Sequence, residues 1–147
     1  MKLKPEEIQK RINHFKNELR RSDVKMTHQR LEIFKEVAKS VDHPDADTIF
    51  KGVRKRIPTV SLDTVYRTLW LLLDLGLLTT LGPPRNRMRF DANISPHHHF
   101  VCMKCGITHD FYSKEFDQLR MPDAVKNLGS TEIAQVEIKG ICCRCSK

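Results

Sequence analysis

Four cysteines stand in two matched pairs, Cys102-x-x-Cys105 and Cys142-x-x-Cys145, with 36 residues (106 to 141) between them. A Cys-x-x-Cys turn presents two thiolates at two corners of a tetrahedron. Two such turns complete a closed four-sulfur zinc site with no open position. Zinc held this way keeps the thiols as thiolates, and its binding energy becomes folding energy for a small domain. Free cysteines, a disulfide and a redox dithiol are the alternatives. Cys143 is the odd thiol, because only Cys142 has the correct spacing to Cys145.

Just ahead of the first pair lies Pro96-His97-His98-His99. On a strand His97 and His99 point to one face and His98 to the other, so a same-face His-x-His offers two imidazoles to one ion. Asp91 and Asp110 sit close on either side, while His109 points opposite to Asp110. Mixed nitrogen and carboxylate donors suit Fe(II), Mn(II) or Zn(II) rather than a soft metal. The alternative is a solvated polar hairpin with incidental histidines.

A third group could read nucleic acid. Along the segment capped by Ser61, the apolar stripe Leu62, Val65, Leu69 and Leu72 or Leu73 leaves Asp63, Thr64, Arg67 and Tyr66 on the other side. A helix entering the major groove uses its N-terminal residues for base edges and phosphates. Arg67 can bond a guanine or a phosphate, and Thr64 and Tyr66 a phosphate or a thymine methyl. Arg54, Lys55 and Arg56 upstream, with Arg85, Arg87 and Arg89 downstream, would supply charge along the backbone. The formal net charge is +8, from 26 Lys+Arg against 18 Asp+Glu, which favours an anionic partner, nucleic acid first.

The elements that must position these groups can be read from periodicity. Helices are expected over Glu6–Leu19, after an N-cap at Thr27, after a cap at Asp45, and over Leu62–Leu75 after Ser61, with Gly76 as the stop. Leu77–Leu81 and Arg87–Phe90 read as strands around the turn Gly82-Pro83-Pro84-Arg85-Asn86. Helices followed by a hairpin with a basic tip make a winged helix-turn-helix with Ser61–Leu75 as recognition helix. Beyond it, His99–Cys102, Ile107–Phe111 and Thr131–Lys139 read as strands, the last with Ala134, Val136 and Ile138 on one side. Lys114–Leu128 reads as a helix interrupted or started by Pro122. The fold class is α+β, with residues 1–91 a DNA-binding domain and hinge, and 92–147 an α/β dimerisation and metal-binding domain. The charged N-terminal stretch lacks the apolar core of a secretory signal, and the run around Leu69–Leu73 is too short to span a bilayer. A cytoplasmic protein without a membrane partner is expected, and in that setting paired cysteines bind metal more often than they form disulfides.

Taken together, these residues resemble the ferric uptake regulator superfamily over nearly the whole chain. The resemblance is carried by Met26-Thr27-His28-Gln29-Arg30, His43-Pro44, Asp63-Thr64-Val65-Tyr66-Arg67-Thr68-Leu69, Arg89-Phe90-Asp91, His97-His98-His99, Cys102-x-x-Cys105-Gly106 and Cys142–Cys145. It implies a homodimeric, metal-dependent repressor that binds a palindromic operator in double-stranded DNA. A structural zinc falls on Cys102, Cys105, Cys142 and Cys145. A regulatory Fe(II) or Mn(II) falls on His43, Asp91, His97, His99 and Asp110, bridging the two domains. Arg30, Thr64, Tyr66, Arg67 and Arg87 become the expected DNA contacts. Asp at both 91 and 110 is similar to the peroxide-sensing branch, where iron oxidises its own histidine ligands, here His43 and His97. Pro96 and His98 stand where iron-uptake members carry a further histidine and an acid, which speaks against their accessory site. The alternatives are an iron- or zinc-responsive uptake repressor, a zinc-ribbon adaptor without DNA binding, and a zinc hydrolase. The hydrolase lacks a His-Glu-x-x-His-type motif, so neither catalytic residues nor a small-molecule substrate are expected.

Overall fold

The computed structural model describes residues 2–82 and 88–147. The turn expected over Pro83–Asn86, and with it Arg85 and Arg87, lies outside the described residues. Two compact units divide the chain, the first running to Ile94 and the second comprising Ser95–Lys147.

In the first unit four helices precede a two-stranded antiparallel sheet: α1 (Pro5–Arg21), α2 (His28–Ala38), α3 (Ala46–Arg54), α4 (Leu62–Asp74), β1 (Thr79–Leu81) and β2 (Arg89–Asp91). The helix starts are chemically explicit. Pro5 occupies the first turn of α1, where its missing N–H costs nothing. The Thr27, Asp45 and Ser61 side chains accept hydrogen bonds from the N–H groups of Arg30, Thr48 and Thr64, which makes each an N-cap. Gly76, at φ +71°, ends α4 in the left-handed region, and Leu77 N–H bonds back to the Leu72 carbonyl.

One continuous core fills this unit. Phe15 of α1 stacks on Phe34 of α2 with ring centres 4.5 Å apart, and Ile49, Val53, Val65, Leu69 and Leu72 close around them. Each fully buried side chain of this size contributes roughly 1.5–3 kcal/mol. The stripe differs from expectation at two places. Leu62 is exposed, because it sits in the first turn of α4 before the helix reaches the core. Leu77 and Leu78 are buried in the turn after Gly76, and the strand starts only at Thr79.

The second unit is a three-stranded sheet of order β4-β3-β5, built from β3 (His98–Cys102), β4 (Thr108–Phe111) and β5 (Glu137–Gly140), with two single-turn helices, α5 (Lys114–Asp117) and α6 (Asp123–Lys126). β3 pairs antiparallel with β4 and parallel with β5. The helix expected over Lys114–Leu128 is therefore two fragments. Pro122 has no N–H and disfavours helical backbone in the residue before it, so the chain leaves the helix and restarts after Pro122. The strand expected over Thr131–Lys139 shrinks to its last residues. Alternation alone does not make a strand without a ladder partner, and β3 offers β5 partners only from His99 to Cys102. Ala134 and Ile138 are accordingly exposed rather than set on a buried face. Among the described residues, no helix is long and apolar enough to cross a membrane.

Candidate metal centres and nucleic-acid face

The sheet register assembles the cysteines. Cys102 ends β3 opposite Gly140 of β5, two residues before Cys142, so the parallel pairing delivers the second turn to the first. A Cβ at Gly140 would lie 3.0 Å from the Phe100 ring, so a larger residue there would have to push that ring aside. The Cys102, Cys105, Cys142 and Cys145 sulfurs all lie within 4.8 Å of one another, and Cys105 Sγ stands 3.8 Å from Cys142 Sγ. Four sulfurs at about 2.3 Å from a tetrahedral zinc would stand about 3.8 Å apart. The donor set and spacing thus fit zinc. Backbone N–H groups of Cys105 and then Cys142 aim at the Cys102 sulfur and hold its thiol down to about 6. Cys142 is lowered chiefly by the Cys145 N–H. Cys145 is pushed up to about 12, first by its contact with Cys142, then by Cys105 and by burial. Cys143 is exposed and stands outside the four-sulfur group.

Within the second unit the same register makes a nitrogen–oxygen set. His99 and Asp110 are directly opposed across β3 and β4, which puts both side chains on one face, and His99 Nε2 lies 3.2 Å from Asp110 Oδ1. His97 Nε2 is 3.1 Å from His99 Nε2 and 3.8 Å from Asp110 Oδ1. His97 Nδ1 lies 2.7 Å from the Ser95 carbonyl, which can only accept, so the proton sits on Nδ1 and Nε2 keeps its lone pair. Ligands at about 2.1 Å from one ion stand about 3.0 Å apart at a right angle and about 3.4 Å apart at a tetrahedral one. The three atoms fit one cation.

Within the first unit His43 and Asp91 come together. Pro44 carbonyl accepts from Phe90 N–H at 3.0 Å, and Asp45 bridges Arg89, so the loop carrying His43 is laced to the strand carrying Asp91. His43 Nε2 lies 3.4 Å from Asp91 Oδ2, and both residues are 4% exposed. His43 adopts φ +50°, in the left-handed region and directly before a proline. Such backbone costs on the order of 1–3 kcal/mol and persists where its surroundings over-determine it.

His98 is the residue whose job the alternation did not disclose. It points away from His97 and His99, as expected, and is 1% exposed. Val136 N–H donates to its Nδ1 at 3.1 Å, which leaves the proton on Nε2 to bond Asp117 Oδ1 at 2.9 Å. His98 thus ties β3 to α5 and to the approach of β5, with Phe111 and Phe116 against its ring. No short-range pattern in the sequence points to Asp117 or Val136 as its partners.

On α4, Tyr66 and Arg67 are exposed. Thr64 Oγ1 is 2.9 Å from the capping Ser61 hydroxyl, and Arg67 forms an ion pair with Asp63. A groove lined by Thr27, Gln29, Arg30, Thr64, Arg67, Thr68 and Leu71 joins the start of α2 to this face. The Arg30 guanidinium donates to the Lys25 carbonyl at its rim.

Comparisons with known proteins agree in direction. The model of the "Ferric uptake regulator family" matches residues 21–139. A peroxide-responsive repressor of Staphylococcus epidermidis is 32% identical over 88% of this chain and 86% of its own length. A peroxide operon regulator of Bacillus subtilis is 33% identical over 88% of this chain and 89% of its own. The Helicobacter pylori ferric uptake regulator superposes with a TM-score of 0.73 at 20% identity, covering 100% of this chain and 97% of that one, a likeness of fold.

Proposed function

Because the chain belongs to the ferric uptake regulator family, we propose that it is a homodimeric, metal-dependent repressor of transcription that responds to peroxide. Residues 1–91 form its winged helix-turn-helix, and residues 92–147 its dimerisation and metal-binding domain. Cys102, Cys105, Cys142 and Cys145 hold a structural zinc. His43, Asp91, His97, His99 and Asp110 together hold the regulatory ion, Fe(II) or Mn(II). The observation that carries this reading is the pair of ligand half-sets, one in each unit, each closed to coordination distances by its own local fold. One ion taken by both half-sets would fix the two domains relative to each other and set the spacing of two recognition helices on two half-sites. Metal affinity and operator affinity would then strengthen each other by the same factor.

The names of the relatives favour peroxide as the signal. Iron in this site would supply the redox chemistry that adds oxygen to a histidine ligand. The protein's own part is to hold His43 and His97 with Nε2 at the ion and to limit water, which their burial does. Oxidation of either ring would remove a donor and release the DNA. The winged-helix assignment is supported by the capped α4, its exposed Tyr66 and Arg67, and the β1-β2 hairpin. Thr64, Arg30 and Arg87 complete the proposed DNA contacts. Dimerisation is supported by the second unit, which exposes Leu128, Ile133, Ile138 and Ile141 and leaves β5 at a sheet edge.

The test uses protein purified without oxygen and duplexes selected from a randomised pool. Fe(II) or Mn(II) should strengthen binding in the wild type, while His43→Ala should keep its zinc and its dimer and lose the stimulation. Peroxide with Fe(II) bound should add oxygen to peptides carrying His43 or His97, and Mn(II) should protect. Oxidation confined to cysteine would point instead to a thiol sensor.

A further inference from the structure

Asp63 is the acidic residue in the first turn of α4, on the face shared with Thr64 and Arg67. Its Oδ2 lies 3.0 Å from Arg67 Nε, and the side chains are 75% and 73% exposed. A pair so exposed adds little to a helix. Its carboxylate also complements the positive end of α4, but a cap already supplied by Ser61 makes that a modest gain. Against a phosphate backbone the same carboxylate is a handicap, because it repels the phosphates that a bare Arg67 would attract.

Resting on the DNA-binding reading above, we infer that Asp63 is a specificity-determining residue: it holds the Arg67 guanidinium by its inner edge and turns it from a phosphate anchor into a reader of guanine. The geometry carries this. The ion pair is closed through Nε, and none of the described residues takes up the Nη1 and Nη2 groups. Those two terminal nitrogens are the pair that meets guanine O6 and N7 end-on in a bidentate contact. The carboxylate favours one of the two orientations open to a long side chain and offsets part of the charge that would let it slide along phosphates. Asp63 can in addition accept from a cytosine amino group beside that guanine. Non-specific binding, which is electrostatic, is weakened while base reading is kept.

The experiment is selection from duplexes with a randomised core by full-length Mn(II)-loaded wild type, Asp63→Ala, Asp63→Asn and Arg67→Ala, followed by salt titration on a selected and a scrambled duplex. Both residues are exposed, and circular dichroism checks that each variant is folded. Wild type should require a G·C pair at one position of each half-site. Asp63→Ala should relax that preference about two- to threefold, less than the roughly tenfold or more lost in Arg67→Ala. It should also bind scrambled duplex more tightly, with a log–log salt slope steeper by about one. Asp63→Asn, which keeps the shape and loses the charge, should share the salt effect. Unchanged discrimination and slope in Asp63→Ala overturn the inference while leaving the regulator intact. A wild type that selects no sequence overturns the DNA-binding reading and this inference with it.

Discussion

Replacing Cys142 by serine separates the two units, and the structure says by how much. Every residue of the continuous apolar core lies in the first unit, whereas the buried apolar side chains of the second are Cys102 and Cys142, both in the proposed zinc site. Burying two such small side chains gives a few kcal/mol at most. A structural zinc supplies roughly 10–16 kcal/mol of binding energy to folding. Losing one thiolate of four should forfeit at least a quarter of that, roughly 2.5–4 kcal/mol, and the whole once the ion leaves. Serine also removes the sulfur that stands 3.8 Å from Cys105 and receives the Cys145 N–H.

Hydrogen exchange read by mass spectrometry, with zinc content and oligomeric state measured on the same sample, checks this. Peptides spanning β3 and β5 should lose protection by at least about two powers of ten, at about 1.4 kcal/mol per power. Peptides from α1, α2 and α4 should keep theirs, because their core contains no residue of the second unit. Zinc should fall from one per chain towards none, and the dimer should dissociate. If a zinc-free Cys142→Ser protein keeps wild-type protection through Phe100–Cys102, packing rather than metal holds the sheet and the reasoning fails.

Two further outcomes follow from the first unit. Glu32 is buried, which alone would raise its pKa, but the hydrogen bond and charge of Arg56, with Lys35, hold it below the usual carboxylate range. Its folded value lies under its unfolded one, so the stabilisation is complete above the ordinary carboxylate pKa and fades as pH falls through the lowered value. Glu32→Gln should cost about 1 kcal/mol at pH 7, a figure discounted for the 39% exposure of Arg56, and the deficit should shrink in urea titrations at acid pH. His43→Gly should relieve the left-handed backbone while deleting a ligand, so metal-free thermal stability should stay within about 1 kcal/mol of wild type as regulatory-metal affinity collapses. A large loss of metal-free stability would mean that the imidazole is a core element, not a poised donor.

The first unit was largely legible because its information is local. Thr27, Asp45 and Ser61 announce their helices within three residues, and the 3.6-residue stripe selects the buried face of each. The cysteine spacing was legible for the same reason. What the sequence withheld is non-local. The parallel β3-β5 register that joins the two cysteine turns spans a long crossover. The partners of His98 lie 19 and 38 residues away. Pro122 marked the break in the expected helix but did not say that both remnants would be single turns. Alternation over Thr131–Lys139 predicts a strand, but only Glu137–Gly140 forms one, because period alone carries no information about whether a pairing edge exists.

The same asymmetry suits the two proposed metal sites, whose demands on one small chain are opposite. A signal-responsive site must empty and be damaged without unfolding its carrier, so its ligands belong on a frame that stands without them. His43 and Asp91 meet that condition: the backbone hydrogen bond from Phe90 to Pro44 and the bridge between Asp45 and Arg89 tie their loop and strand together beside a complete core. A structural site must never empty, and the cysteine set sits where emptying it would leave almost no buried apolar surface. His98 stands between these demands. Its backbone lies in the strand that also carries His99 and ends at Cys102, and its side chain bonds Asp117 and Val136 on the opposite face. Strand orientation at His99 is therefore held by a hydrogen-bonded histidine rather than by the regulatory ion, which allows that ion to leave without disordering the donor it has just released.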